Sequence, residues 1–137
     1  MNLGDLICEF NGKITSMKVL PFEDGAQDAK YEVTQLVSLT GRLTCSGIGS
    51  NYVRQSPDGT SVTKFYGLFT TPDGESIRAE FGGNAIATAP EKARFRTTGM
   101  LKSAAQNLAW LNTANIAFEG EGDFSSMTVT GKLYLWS

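Results

Sequence analysis

Apolar and polar residues alternate one for one along much of this chain. Tyr31, Val33, Gln35, Val37 and Leu39 stand against Glu32, Thr34, Leu36, Ser38 and Thr40, the period-two pattern of a strand with one face on a core. Asp5–Asn11, Arg42–Ile48, Ala93–Thr98, Leu111–Phe118 and Met127–Trp136 read the same way. Two triplets, Pro57-Asp58-Gly59 and Pro72-Asp73-Gly74, lie between runs rich in Val, Thr, Phe and Tyr. Pro presets the first turn dihedral, Asp bonds the local backbone and Gly accepts positive φ, so Tyr52–Phe81 is predicted to be three antiparallel strands in a meander. Only Ser103–Leu108 favours helix, for one or two turns. The prediction is an all-β fold: a small antiparallel closed barrel of about eight strands with one short helical turn, since closure removes exposed edges. A two-sheet sandwich is the runner-up, because strand spacing does not separate closure from stacking.

The chain of 137 residues suits one domain, 1–137, able to bury roughly two thirds of the surface its unfolded form exposes. Twelve Lys+Arg against 14 Asp+Glu, net charge -2, argue against a nucleic-acid partner, which needs a concentrated basic stripe. The opening "MNLGDLICEF" has no basic segment followed by an apolar run, and no stretch reaches the roughly 18 apolar residues of a membrane span. The expectation is a cytoplasmic protein with no membrane partner. Cys8 and Cys45 are expected as small buried apolar residues.

With no histidine and no paired cysteines, a zinc or Cys-His site has neither ligands nor base; no metal and no organic cofactor are expected. The acidic segment Phe22–Lys30, with Glu23, Asp24 and Asp28, lacks the spacing of a calcium loop and reads as solvated. "SGIGSN" lacks the third glycine of a phosphate cradle and reads as a bend at a barrel corner. Gly120–Ser126 reads either as a plain turn or as a lid.

Side chains of like parity share a face. Val62, Lys64, Tyr66 and Leu68 lie opposite Thr63, Phe65, Gly67 and Phe69, and neither set is clearly the wet one. Tyr52 with Arg54, Arg94 with Arg96, and Trp110 with Asn112 also share faces and are placed around a cavity mouth. An arginine there suits a carboxylate, phenolate or enolate, and Trp110 offers a flat apolar wall. The bland alternatives are surface arginines, a rim tyrosine and a packing tryptophan. Arg78 and Glu80 read as a surface ion pair; Glu80 becomes a base only if its face points inward.

The strings "VRQSPDG", "FYGLFTTPDGESI", "ARFRTT" and "AWLN", in this order between Gly41 and Trp136, resemble a bacterial and fungal family of uncharacterised β-barrel domains. That family is similar to the barrels of allene oxide cyclase, dirigent proteins and spirotetronate-forming cyclases, whose cavities hold apolar ligands. The resemblance matches Arg54, Tyr66, Arg96, Thr97, Trp110 and Asn112. Asn51-Tyr52 replaces the family's Asp-Trp, and Gly99-Met100 and Lys102-Ser103 replace its Pro and Glu-Thr, removing acids that a carboxylate mechanism would need.

The leading expectation is a cofactor-independent isomerase, cyclase or lyase acting on a small apolar or aromatic metabolite inside the barrel, by orientation and oxyanion stabilisation. Arg96 and Arg54 are cast as anion stabilisers, Tyr66 as proton donor, Glu80 as base, and Trp110, Asn112, Tyr52 and Thr97 as substrate contacts. The alternative is a non-catalytic, lipocalin-like carrier of a hydrophobic ligand; a third is a packed barrel that serves assembly. Apolar residues on both strand faces, such as Val33, Leu36, Val37 and Leu39, predict a homo-oligomer.

Overall fold

The computed structural model describes residues 2–21, 23 and 25–137. Its strands are β1 (Leu3–Val19), β2 (Ala29–Gly41), β3 (Cys45–Gln55), β4 (Thr60–Thr70), β5 (Ser76–Ala89), β6 (Lys92–Lys102), β7 (Ile116–Asp123) and β8 (Thr128–Trp136). Each is antiparallel to the next, and β8 returns to pair with β1, so the sheet closes into an eight-stranded barrel. Closure decides against the sandwich.

Both Pro-Asp-Gly triplets are hairpin turns, with Gly59 at φ 88° and Gly74 at φ 86°, a region that favours glycine. Elsewhere the elements differ from the sequence pattern. "SGIGSN" is no corner: β3 runs through it with unbroken register to both neighbours. A Cβ at Gly49 would run into the Phe65 ring, and one at Gly47 into the Leu68 carbonyl. Bare backbone at Gly49 is therefore what lets the Phe65 ring lie inside the barrel. Phe118 lies likewise over Gly120 and Gly131. The helical turn is a 3₁₀ segment at Gln106–Thr113, so the strand expected from Leu111 begins only at Ile116. Asn112 causes this shift: its Oδ1 accepts from Ser103 N at 2.9 Å and its Nδ2 donates to Ser103 O at 2.9 Å, folding the segment back across one barrel end. Arg42–Thr44 is likewise outside a strand. Gly120–Asp123 belongs to β7, and the following residues form a plain turn in which Asp123 Oδ1 accepts from Ser125 N and Oγ.

Inside, odd-numbered residues of β2–β6 face the axis, and β1, β7 and β8 contribute residues such as Phe10, Ile116 and Leu133. At the end crossed by the 3₁₀ segment, Leu111, Ile77, Leu101 and Ile116 are completely buried together with Cys8 and Phe69. This packing closes that end. Among the described residues no helix is long and apolar enough to cross a membrane.

Candidate functional site

Above the closed end the bore widens into a chamber of about 50 Å³. Phe10, Phe65, Phe81, Phe95 and Phe118 form its apolar wall. Phe10 stands edge-on to Phe118 at 5.0 Å and to Phe65 at 6.1 Å, the offset geometry that aromatic quadrupoles favour. Set among these rings are the amides of Gln35 and Asn51 and the hydroxyls of Thr63 and Thr97. Among the described residues no ionisable side chain lines the chamber. Gln35 is only 3% exposed, and its Oε1 has no hydrogen-bond partner. An orphan buried acceptor costs roughly 1–3 kcal/mol, so it marks either a tolerated defect or a waiting contact. A water needs about 10–15 Å³ of such space, so the chamber has room for a few waters, or for the polar end of something larger.

A second cavity, about 280 Å³, opens above it at the other barrel end. Tyr31, Gln55, Ser61, Glu91 and Lys92 are its polar lining residues, and Met17, Val53 and Phe124 supply much of its apolar lining. Alanines 85, 87, 89 and 93 leave it roomy. Phe95 lines both cavities and is the side chain they share. Burial pushes the Tyr31 hydroxyl's pKa up from its ordinary value, which makes it a weaker acid than a free phenol. The thiols at the closed end are also held neutral, Cys8 pushed up to about 12 and Cys45 to about 11, both chiefly by burial.

The polar residues singled out in the sequence lie elsewhere. Arg54, Tyr66, Glu80, Arg96 and Tyr52 have the parity opposite to Thr63, Phe65 and Phe69, and all are exposed on the outer wall. Their placement around a cavity mouth is therefore corrected: the phenylalanines take the inside, and strand alternation sends these residues out. Arg54 is ion-paired with Asp28 at 2.8 Å and Arg96 with Glu119 at 3.0 Å. Tyr52 and Tyr66 stack edge-on at 6.0 Å, and the Glu32 carboxylate raises the Tyr52 pKa. Glu80 faces Tyr66 and Met100 across neighbouring strands, so the inward condition for a base is not met. Arg78 and Glu80 form no ion pair among the described residues. Trp110 sits on the 3₁₀ segment under the Arg42 guanidinium, 4.1 Å from the ring centre, and Asn112 is held by Ser103. Thr97 alone of the set turns into the chamber.

Glu23 pairs with Lys30 at 2.6 Å; Asp24 lies outside the described residues. Among the described residues no cluster of acidic or cysteine side chains has the makings of a metal site.

Gln35, Asn51, Thr63 and Tyr31 were not anticipated as site residues. The signal was present for Gln35, a polar residue on the face shared by Val33, Val37 and Leu39. Asn51 and Thr63 share parity with Val53 and Phe65 in the same manner.

No protein-family model and no curated relative matches the chain. Solved structures do match in fold. A protein with unknown function from Clostridium acetobutylicum superposes with TM-score 0.79 at 15% identity, over 100% of each chain. A beta-barrel like protein from Acinetobacter baumannii gives 0.74 at 14% identity, over 96% of this chain and 93% of the other. A structure described as an enzyme from Penicillium herquei gives 0.65 at 13% identity, over 99% and 97%. At such identities the likeness is one of fold.

Proposed function

We propose that this barrel binds a small, uncharged, largely aromatic ligand that enters at the open end and directs a hydroxyl or N–H group toward Gln35. The observation that carries this reading is the Gln35 amide, its Oε1 partnerless over Gly12, in a chamber walled by phenylalanine and, among the described residues, free of ionisable side chains. Apolar walls with a few placed polar groups are the usual composition of a small-molecule site. A charged ligand group would lose its hydration there without gaining a counter-charge. The mouth has the volume for the ligand's body, and displacement of the Phe95 ring would join mouth to chamber.

A catalytic reading, as a cofactor-independent isomerase, cyclase or lyase, is favoured by Tyr31. The Tyr31 hydroxyl at the cavity mouth can donate a hydrogen bond to a bound carbonyl, or a proton to a strongly basic enolate, and the Asn51 amide with the Thr63 and Thr97 hydroxyls can stabilise an oxyanion that develops on a bound carbonyl. The likeness to a solved structure described as an enzyme is compatible with this reading. In it, Thr97 keeps its substrate contact, while Arg54, Tyr66, Glu80 and Arg96 stay outside the site.

Calorimetric titration with 1-naphthol and with naphthalene tests binding. The expected result is binding of 1-naphthol at least tenfold tighter, with the advantage lost in Gln35→Met. Equal affinities, or no binding of either compound, would sink the proposal. Native mass spectrometry of protein from its own host then identifies the natural ligand, and turnover of that compound lost in Tyr31→Phe would separate enzyme from carrier.

A further inference from the structure

Barrel closure leaves no strand edge for association, so any partner must use a face. The outer wall of a soluble barrel is ordinarily polar, yet here it carries a row of aliphatic side chains. Leu36 on β2, Ile48 on β3 and Leu68 on β4 are register partners in one line across the sheet, and they are 54%, 54% and 52% exposed. The Tyr52–Tyr66 pair adjoins them on β3 and β4. Scattered exposed apolar residues need no explanation, but a contiguous patch does.

We infer that this β2–β4 face is the interface with a second copy of the chain, packed about a two-fold axis roughly parallel to the strands. Two observations select a second copy as the occupant. The first is area. A large side chain presents roughly 150–250 Å² in full; half-exposed, these residues and Val62, diagonal to Tyr52 on β4, offer on the order of 500 Å², the larger part of the roughly 800 Å² per partner of a stable interface. The second is charge. Glu32 on β2 and Lys64 on β4 are the register partners of Tyr52 on its two sides, at one level of the sheet. A two-fold axis parallel to the strands keeps that level and brings Glu32 of one copy to Lys64 of the other, the self-complementarity that an isologous contact requires. An apolar, tyrosine-containing centre with charges at its rim is also the usual composition of a protein interface.

Sedimentation velocity of the full chain over a dilution series tests this, with circular dichroism to confirm folding. The wild type is expected to sediment as a dimer. Ile48→Glu is expected to weaken association at least a hundredfold, while Ile86→Glu, a comparably exposed outer-wall site away from the patch at 49%, leaves it unchanged. Glu32→Arg alone is expected to weaken the dimer, and adding Lys64→Glu to restore it. A monomeric wild type, an Ile48→Glu variant that still dimerises, or equal loss in Ile86→Glu would overturn the interface. Failure of the double exchange to restore association would overturn the two-fold arrangement.

Discussion

The two ends of the barrel bore are built from different residues and to different densities. At the closed end Leu111, Ile77, Leu101 and Ile116 meet with no exposed surface. At the open end alanines, a tyrosine and polar side chains that include Glu91 and Lys92 leave about 280 Å³ unfilled, above a chamber with an unsatisfied amide oxygen. Burial of a large aliphatic side chain is worth about 1.5–3 kcal/mol, so the closed end supplies stability that the open end leaves unclaimed. Strand alternation is the same at both ends; side-chain volume makes the difference. The same β-strands therefore serve as core at one extremity and as receptacle at the other.

The largest effect that can break this comparison is expected at the closed end. Leu111→Ala should cost about 3–4 kcal/mol in urea unfolding, whereas Ala87→Gly at the mouth should cost less than about 1 kcal/mol; comparable losses would mean that the ends are not divided in this way. Next comes alkaline pH. Cys8 and Cys45 have folded-state pKa values of about 12 and about 11, against 9.0 for a free thiol. The folded chain holds these protons while the unfolded chain releases them, so their stabilisation is present below pH 9 and is lost as pH rises through the folded values. Each thiol contributes a fall of about 1.4 kcal/mol per pH unit between its two values. Unfolding midpoints at pH 8 and pH 10.5 measure this loss, and Cys8→Ala should make the decline shallower.

Gly49→Ala drives a methyl group into the Phe65 ring and is expected to cost about 2 kcal/mol through overpacking. An unchanged thermal midpoint would show that Phe65 has another place to go. The smallest effect has the opposite sign. Gln35→Met removes the orphan acceptor at similar volume and should raise stability by about 1 kcal/mol in the absence of ligand, while abolishing the 1-naphthol preference. Gain of stability with loss of binding is the signature of a residue kept for function.

The Pro-Asp-Gly hairpins and the alternation in β2 were legible because each rests on local chemistry: turn dihedrals in one case, parity in the other. The site was less so. Arg54, Tyr66, Glu80 and Arg96 carry the strongest functional groups, and attention to chemistry drew them together, but the β4 alternation left open which of its faces is wet, and only the burial of Thr63 and Phe69 puts Tyr66 on the outer wall. Gln35 was visible as a polar residue in an apolar row. That Thr97 and Thr63 meet it across the bore depends on closure, which brings β2 and β6 to face each other and leaves no local trace. The shift of Leu111 out of β7 likewise hangs on Asn112 reaching back to Ser103, a contact that alternation does not encode.

The rings of Phe65 and Phe118 resting on bare glycine backbone have a further consequence. The width of the bore is set by removable side chains rather than by the course of the strands. Exchanging one such ring for leucine or valine would enlarge the chamber while the hydrogen-bond register around it stays fixed, so descendants of this chain can change the size of guest they accept one substitution at a time.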